Sequence, residues 1–347
     1  MVMKILNQQI FKNKEAAALP GLMESGGLPA LVSGLSAIHR ANLAAALYER
    51  LELPIIVVCP DDSSADSFAR DLEAMTGVAV NTLYSREFTF YNSLAASRET
   101  EQKRLSVFNA LKRGQSPLTV ATVSSLMQRT IPPHTLDEAA FTVTDGTSCP
   151  PEELESALIR CGYTRCEQVE GAGQYARRGG IIDFFSPTYS EPVRVEFWGD
   201  DVDSMGFFDI KTQRRTEAVE SCRILPAAES LVSLATGGAS TLLDTMCAAA
   251  DKCARHRRSP QLAELENTLR ADIERIEQGV KLEYADRYLP FLYEKATGYD
   301  YIPEEAIVFF DQPPRCADRA KGYLKQLGDD VSQLVKKGLI ASEAGAY

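Results

Sequence analysis

Between Pro29 and Val143, apolar runs alternate with stretches of helical spacing. Ala30–Ser33 reads as a short strand, and Ala41–Leu51 as an alanine-rich helix. Pro54–Cys59 is a continuous apolar run of the kind buried on both faces of a sheet. A helix beginning near Ser63, with Asp62 as its cap, puts Phe68, Leu72 and Met75 on one face. Val78–Tyr84 reads as a strand and Leu118–Thr122 as another buried one. Between them Thr100–Lys112 is an amphipathic helix with Leu105, Phe108 and Leu111 inward. This alternation predicts a parallel sheet with covering helices.

The period changes near 145–151. Pro150 and Pro151 open a helix over Glu152–Cys161, and the strands then shorten: Arg165–Val169, Tyr175–Arg178, Ile181–Phe185, Val193–Phe197 and Val202–Phe208. Turns at Gly179-Gly180, Ser186-Pro187 and Gly199-Asp200 separate them, which predicts an antiparallel sheet with one wet face. Beyond Pro226 come helices over Thr241–Arg258 and Gln261–Gly279. A buried strand follows at Ala306–Asp311, then a helix over Pro314–Lys337, interrupted or bent at Gly328. The simplest architecture is an α/β domain split by a β-rich insertion.

The 347 residues suffice for two or three domains, and a net charge of -11 argues against general steering toward nucleic acid and for protein partners. None of the eight cysteines forms a CxxC pair, so they read as free thiols of a reducing compartment. With no signal peptide and no apolar run of the ~18–20 residues a membrane span needs, the expected location is the cytoplasm.

The first strand-to-helix turn invites comparison with a phosphate-binding loop, GxxxxGK[ST]. Only Gly34 survives. His39 stands at the second glycine, Arg40 at the lysine, and Ala41 lacks the hydroxyl for magnesium. Nucleotide hydrolysis is not expected there, and no metal site is. Asp137-Glu138 reads as a solvated loop, and Arg255–Arg258 as the basic end of a helix. His39, His134 and His256 have no ligand or triad spacing. No catalytic residue is assigned.

Counting by two along the chain from Val193 puts Val193, Val195 and Phe197 on one face and Arg194, Glu196 and Trp198 on the other. Arg194 and Trp198 would be neighbours on the outer face, the alternative being an Arg–Glu ladder with a partly covered tryptophan; Arg177 and Arg178 are of interest beside them. Arginine and tryptophan are enriched in interface hot spots.

The segment YARRGGIIDFFSP…EPVRVEFWGDDVDSMGFFD (Tyr175–Asp209) resembles the second domain of the transcription-repair coupling factor family, and more distantly the matching domain of UvrB. TVSSLMQRTIPP (Thr122–Pro133) and CGYTRCEQV (Cys161–Val169) fit the same pattern. The resemblance implies an N-terminal UvrB-like module. Its first part (1–139) and its mostly helical last part (226–347) would form a degenerate RecA-like, P-loop NTPase-type parallel-sheet domain. Between them, 140–225 would be a β-rich α+β inserted domain that binds UvrA. It further implies that Arg178 and Arg194 contact UvrA, with Trp198 where the family often has phenylalanine. The chain would recruit UvrA to lesions that stall RNA polymerase, without enzymatic activity or cofactor of its own. It would be a piece of a longer protein, whose other domains bind polymerase and DNA and carry an ATP- and magnesium-dependent motor. That protein's C-terminal domain would cover the UvrA face. The alternatives are a UvrB-like damaged-DNA-binding ATPase, which the altered turn at Gly34–Ala41 and the short segment Tyr84–Arg98 disfavour, and a module that only restrains the motor.

Overall fold

The computed structural model describes residues 2–88, 90, 98–255 and 259–344. Its elements run α1 (Val2–Gln8), α2 (Lys14–Glu24), α3 (Ala37–Leu51), β1 (Ile55–Cys59), α4 (Asp62–Thr76), β2 (Asn81–Leu83), α5 (Arg98–Lys112), β3 (Leu118–Thr122), α6 (Val123–Met127), α7 (Pro133–Ala139), β4 (Phe141–Thr144) and α8 (Pro151–Arg160). Then follow β5 (Thr164–Arg165), β6 (Gln174–Arg178), β7 (Ile181–Phe184), β8 (Val193–Trp198), β9 (Asp201–Phe208), β10 (Arg215–Ala218), β11 (Ser221–Ile224), α9 (Gly238–Ala254), α10 (Pro260–Glu277), α11 (Leu289–Leu292), β12 (Ile307–Phe310) and α12 (Pro313–Lys336). The chain divides into two compact units: Met1–Ser85 with Ala110–Gln128 and Tyr301–Lys325, and Arg86–Asn109 with Arg129–Asp300 and Gln326–Tyr347.

In the first unit four parallel strands stand in the order β12-β1-β3-β2. Every residue of β1 and β3 is buried, as their unbroken apolar runs require of central strands. Leu43 and Leu47 of α3 and Phe68 and Leu72 of α4 close the core around Ile55, Val57, Leu118 and Val120. Asp61, not Asp62, caps α4: its extended backbone lets the carboxylate accept from the Ser64 N–H at 2.9 Å, while Asp62 is already helical. Ala30–Ser33 forms no strand. Four residues between Pro29 and Gly34 find no ladder partner, and Leu31 stays 84% exposed. The strand expected over Val78–Tyr84 shrinks to β2, and α12 runs unbroken through Gly328.

The second unit holds a six-stranded sheet, β10-β9-β8-β7-β6-β5, antiparallel except for the β5–β6 pair. One face packs on α8 and on a two-stranded ribbon of β4 and β11, through Leu154, Leu158, Tyr175, Ile182, Phe184, Val193, Val195, Met205, Cys222 and Ile224. That ribbon is absent from the local pattern because its strands lie about 80 residues apart, outside the reach of periodicity. The opposite face is not uniformly wet: Val169, Ala176 and Phe208 form a small second cluster with Cys166 and Phe185. The strand expected over Arg165–Val169 ends at Arg165, and Val169 joins that cluster instead.

Asp137 lies on α7 rather than in a loop, since Pro133 suits the first helical turn, and it pairs with Arg223 at 2.7 Å. Residues 89 and 91–97 of the segment Tyr84–Arg98, and 256–258, fall outside the described residues. All eight cysteines are free thiols. Among the described residues no helix is long and apolar enough to cross a membrane.

Candidate functional site

Strand register decides which side chains share the open face of the six-stranded sheet. Asp183 stands opposite Ala176 on one side and Arg194 on the other, and Arg194 in turn opposite Gly206. The next row is Arg178, Ile181, Glu196 and Ser204. Directly paired residues lie on the same face, so both rows look away from α8.

Asp183 is the hub. It is 1% exposed, yet it is a carboxylate, and a buried charge needs partners. Arg194 supplies two: Nε donates to Oδ1 at 2.7 Å and Nη2 to Oδ2 at 2.9 Å. Arg178 supplies a third, Nη2 to Oδ2 at 2.9 Å. The two-point geometry suits the planar guanidinium. Arg194 also lies 4.7 Å over the Phe208 ring and donates from Nη1 to the Gln213 carbonyl. The hydrogen bonds to Asp183 hold its guanidinium charge above its ordinary pKa. Arg194 is therefore braced inward, while the Arg178 side chain remains 54% exposed.

Arg177 is on the other side. It stands opposite Ile182 in the core row and pairs with Glu152 and Glu155 of α8. Those hydrogen bonds hold both carboxyls below the usual carboxylate range.

Trp198 ends β8 at 81% exposure. It is not a neighbour of Arg194, because four residues of strand span about 13 Å. The register shift between Glu196 and Phe197 puts the extra residue in β9, so the count by two holds along β8: Phe197 still packs against the core cluster while Trp198 is exposed. Asp200, Asp201 and Asp203 flank it, all exposed.

The altered turn lies in the first unit. Gly34 adopts φ +80°, His39 Nδ1 sits 2.9 Å from Ser36 Oγ, and Ala41 is buried. Arg40 reaches the carboxyl end of β12, where its Nε is 2.5 Å from Asp311 Oδ1. Asp311 is 2% exposed. The guanidinium thus lies on a carboxylate of this chain at the edge of a parallel sheet where such folds bind ligands.

Sequence reasoning missed a buried ionic cluster in the second unit. Arg86 grips Asp286 at two points, both 2.8 Å, and lies 3.2 Å from Glu229. Arg104 binds Glu229 at 2.7 Å, and the Glu229 N–H donates to Glu101. Burial pushes the Glu101 carboxyl from its ordinary 4.5 up to about 7, against the Arg86 charge and with Asp286 and Glu229 adding to the rise. Burial also raises Glu229, but Arg104 and Arg86 outweigh it and hold that carboxyl below its ordinary value. No local signal marks these groups: Glu101 and Arg104 read as the polar side of an amphipathic helix.

The residues of this face lie inside a stretch with known relatives: residues 141–229 match the UvrB interaction domain. The second unit therefore contains a stretch similar to that domain family. Over most of its length the chain is, further, a relative of the transcription-repair-coupling factors. It is 28% identical over 313 residues to that of Bacillus subtilis, covering 89% of this chain and 26% of the relative. For Myxococcus xanthus the figures are 27% over 294 residues, 81% and 24%, and for Escherichia coli K12 31% over 199 residues, 57% and 17%. The chain spans about a quarter of the length of the first two relatives.

Proposed function

We propose that this chain is an adaptor module of transcription-coupled excision repair that docks UvrA through the open face of the six-stranded sheet. The observation that carries this is the convergence of Arg178 and Arg194 on the buried Asp183, within a stretch that matches the UvrB interaction domain. Arg178 and Trp198 are the outward contacts, and Arg194 holds the face in register from beneath. The test is a binding titration against UvrA. Arg178→Ala and Trp198→Ala should each cost about 2–4 kcal/mol, roughly 30- to 1000-fold in affinity. Both are exposed, so unfolding midpoints should stay near that of the parent. Unchanged affinity in both variants would remove these residues from the interface.

We further propose that the first unit is a degenerate RecA-like domain without nucleotide hydrolysis. Strand–helix alternation and the parallel sheet support the fold. The Arg40–Asp311 pair supports the loss of chemistry, because the side chain at the phosphate-lysine position is tied to a carboxylate. The domain scheme proposed around it, 1–139 and 226–347 with 140–225 inserted, is wider than the compact first unit, which leaves out 86–109, 129–139, 226–300 and 326–347. Measurable ATP turnover abolished by Arg40→Ala would overturn this. In the same reading the module works in the cytoplasm and brings UvrA to stalled RNA polymerase. Polymerase binding, DNA binding and an ATP- and magnesium-driven motor belong to other domains of the full-length factor, whose C-terminal domain covers the face at rest.

A further inference from the structure

Arg215 begins β10 opposite Phe208, the ring on which Arg194 stacks. It is exposed, and its side chain reaches toward β9 on the open face. Its Nε stands 2.2 Å from where a Cβ on Gly206 would be, and its Nη1 donates to Ser204 Oγ at 3.3 Å. Gly206 is also the residue opposite Arg194. The missing side chain at 206 is what admits Arg215 to the row beside Arg194.

Three alternate strands thus put an arginine on one face: Arg178 on β6, Arg194 on β8 and Arg215 on β10. At the usual strand spacing the outer two are about 19 Å apart. Their roles differ. Arg194 faces inward onto Asp183 and Gln213, whereas Arg178 and Arg215 keep most of their donors toward solvent. The carboxylates in these rows are Asp183, buried beneath two of the arginines, and Glu196, which accepts from Ser204. Three arginines against these two carboxylates leave the rows net cationic in a chain of net charge -11, with the exposed Asp200, Asp201 and Asp203 at one end beside Trp198. Guanidinium groups at fixed spacing recognise carboxylates by paired hydrogen bonds, and complementary charge steers association.

We infer that Arg215 is a third docking residue: with Arg178 it brackets Arg194, and the strip takes an acidic patch on the partner protein. The inference rests on the docking reading above, so the partner used in the test is UvrA. Arg215→Glu should weaken binding about tenfold, mainly through a slower association whose deficit shrinks at high salt, and Arg215→Lys should recover part of it. The same reversal at the adjacent, exposed Arg214 serves as a control and should have a much smaller effect. If Arg178→Ala weakens binding while Arg215→Glu does not, or if Arg214→Glu weakens it equally, the assignment of Arg215 is overturned and the docking face stands. If the parent chain does not bind UvrA, both fall.

Discussion

Arg194 and Asp183, paired across β7 and β8, form a two-point ion pair whose carboxylate is 1% exposed. The arginine is therefore part of the sheet's own architecture as well as of the face it presents.

Removing the arginine leaves Asp183 with only the exposed Arg178 as a charged partner. Breaking a buried pair from one side typically costs about 3–5 kcal/mol, so Arg194→Ala should lower the urea midpoint clearly. Arg178→Ala, at an exposed position, should cost under about 1 kcal/mol of stability. Equal midpoints for the two variants would contradict the division into brace and contact. A loss of UvrA binding by Arg194→Ala alone is thus ambiguous, whereas one by Arg178→Ala is not.

The raised Glu101 carboxyl makes stability depend on pH in a defined direction. Between pH 4.5 and about 7 the folded state holds a proton that the unfolded chain has released. The contribution is complete below about 4.5 and is lost as pH rises through about 7, up to ~3 kcal/mol in all. Thermal unfolding of the parent and of Glu101→Gln at pH 5 and pH 8 checks this. The parent should lose more stability over that interval than the variant, and parallel profiles would rule the effect out.

Asp61 holds the start of α4 through the Ser64 N–H, and that hydrogen bond keeps its carboxyl below the ordinary value. Asp61→Ala should cost about 1 kcal/mol, and Asp61→Ser much less, because serine also caps. The cap's contribution is present above the ordinary carboxylate range and fades as acid protonates it. Unfolding midpoints of the two variants check this. Equal destabilisation by alanine and serine would mean that the pairing of Asp61 with Arg315, at 2.8 Å, stabilises the fold more than the cap does.

Much of the fold was legible because its signals are local. The apolar runs of β1 and β3 mark central strands wherever they pair, and the alternation in Val193–Val195 separates core from surface before any partner is known. The same locality explains the misses. Ala30–Ser33 has the composition of a strand but no neighbour to complete its ladder, and β4 pairs with β11, about 80 residues further along the chain. At the site, the arginines could be read and their supports could not. Nothing in the sequence around Asp183 distinguishes a buried hub from a surface carboxylate.

By itself, then, the sequence determined the strand and helix periods and the arginine and tryptophan positions of one strand, properties of residues within a few positions of one another, and a family resemblance carried by several such segments. Tertiary structure alone decided that Arg178 and Arg194 meet on one carboxylate, that Arg177 turns to the opposite face, and that Arg215 lies over Gly206. These depend on the register of antiparallel strands, where a slip of one residue reverses the face of every side chain. That register is set by the summed packing of the whole sheet.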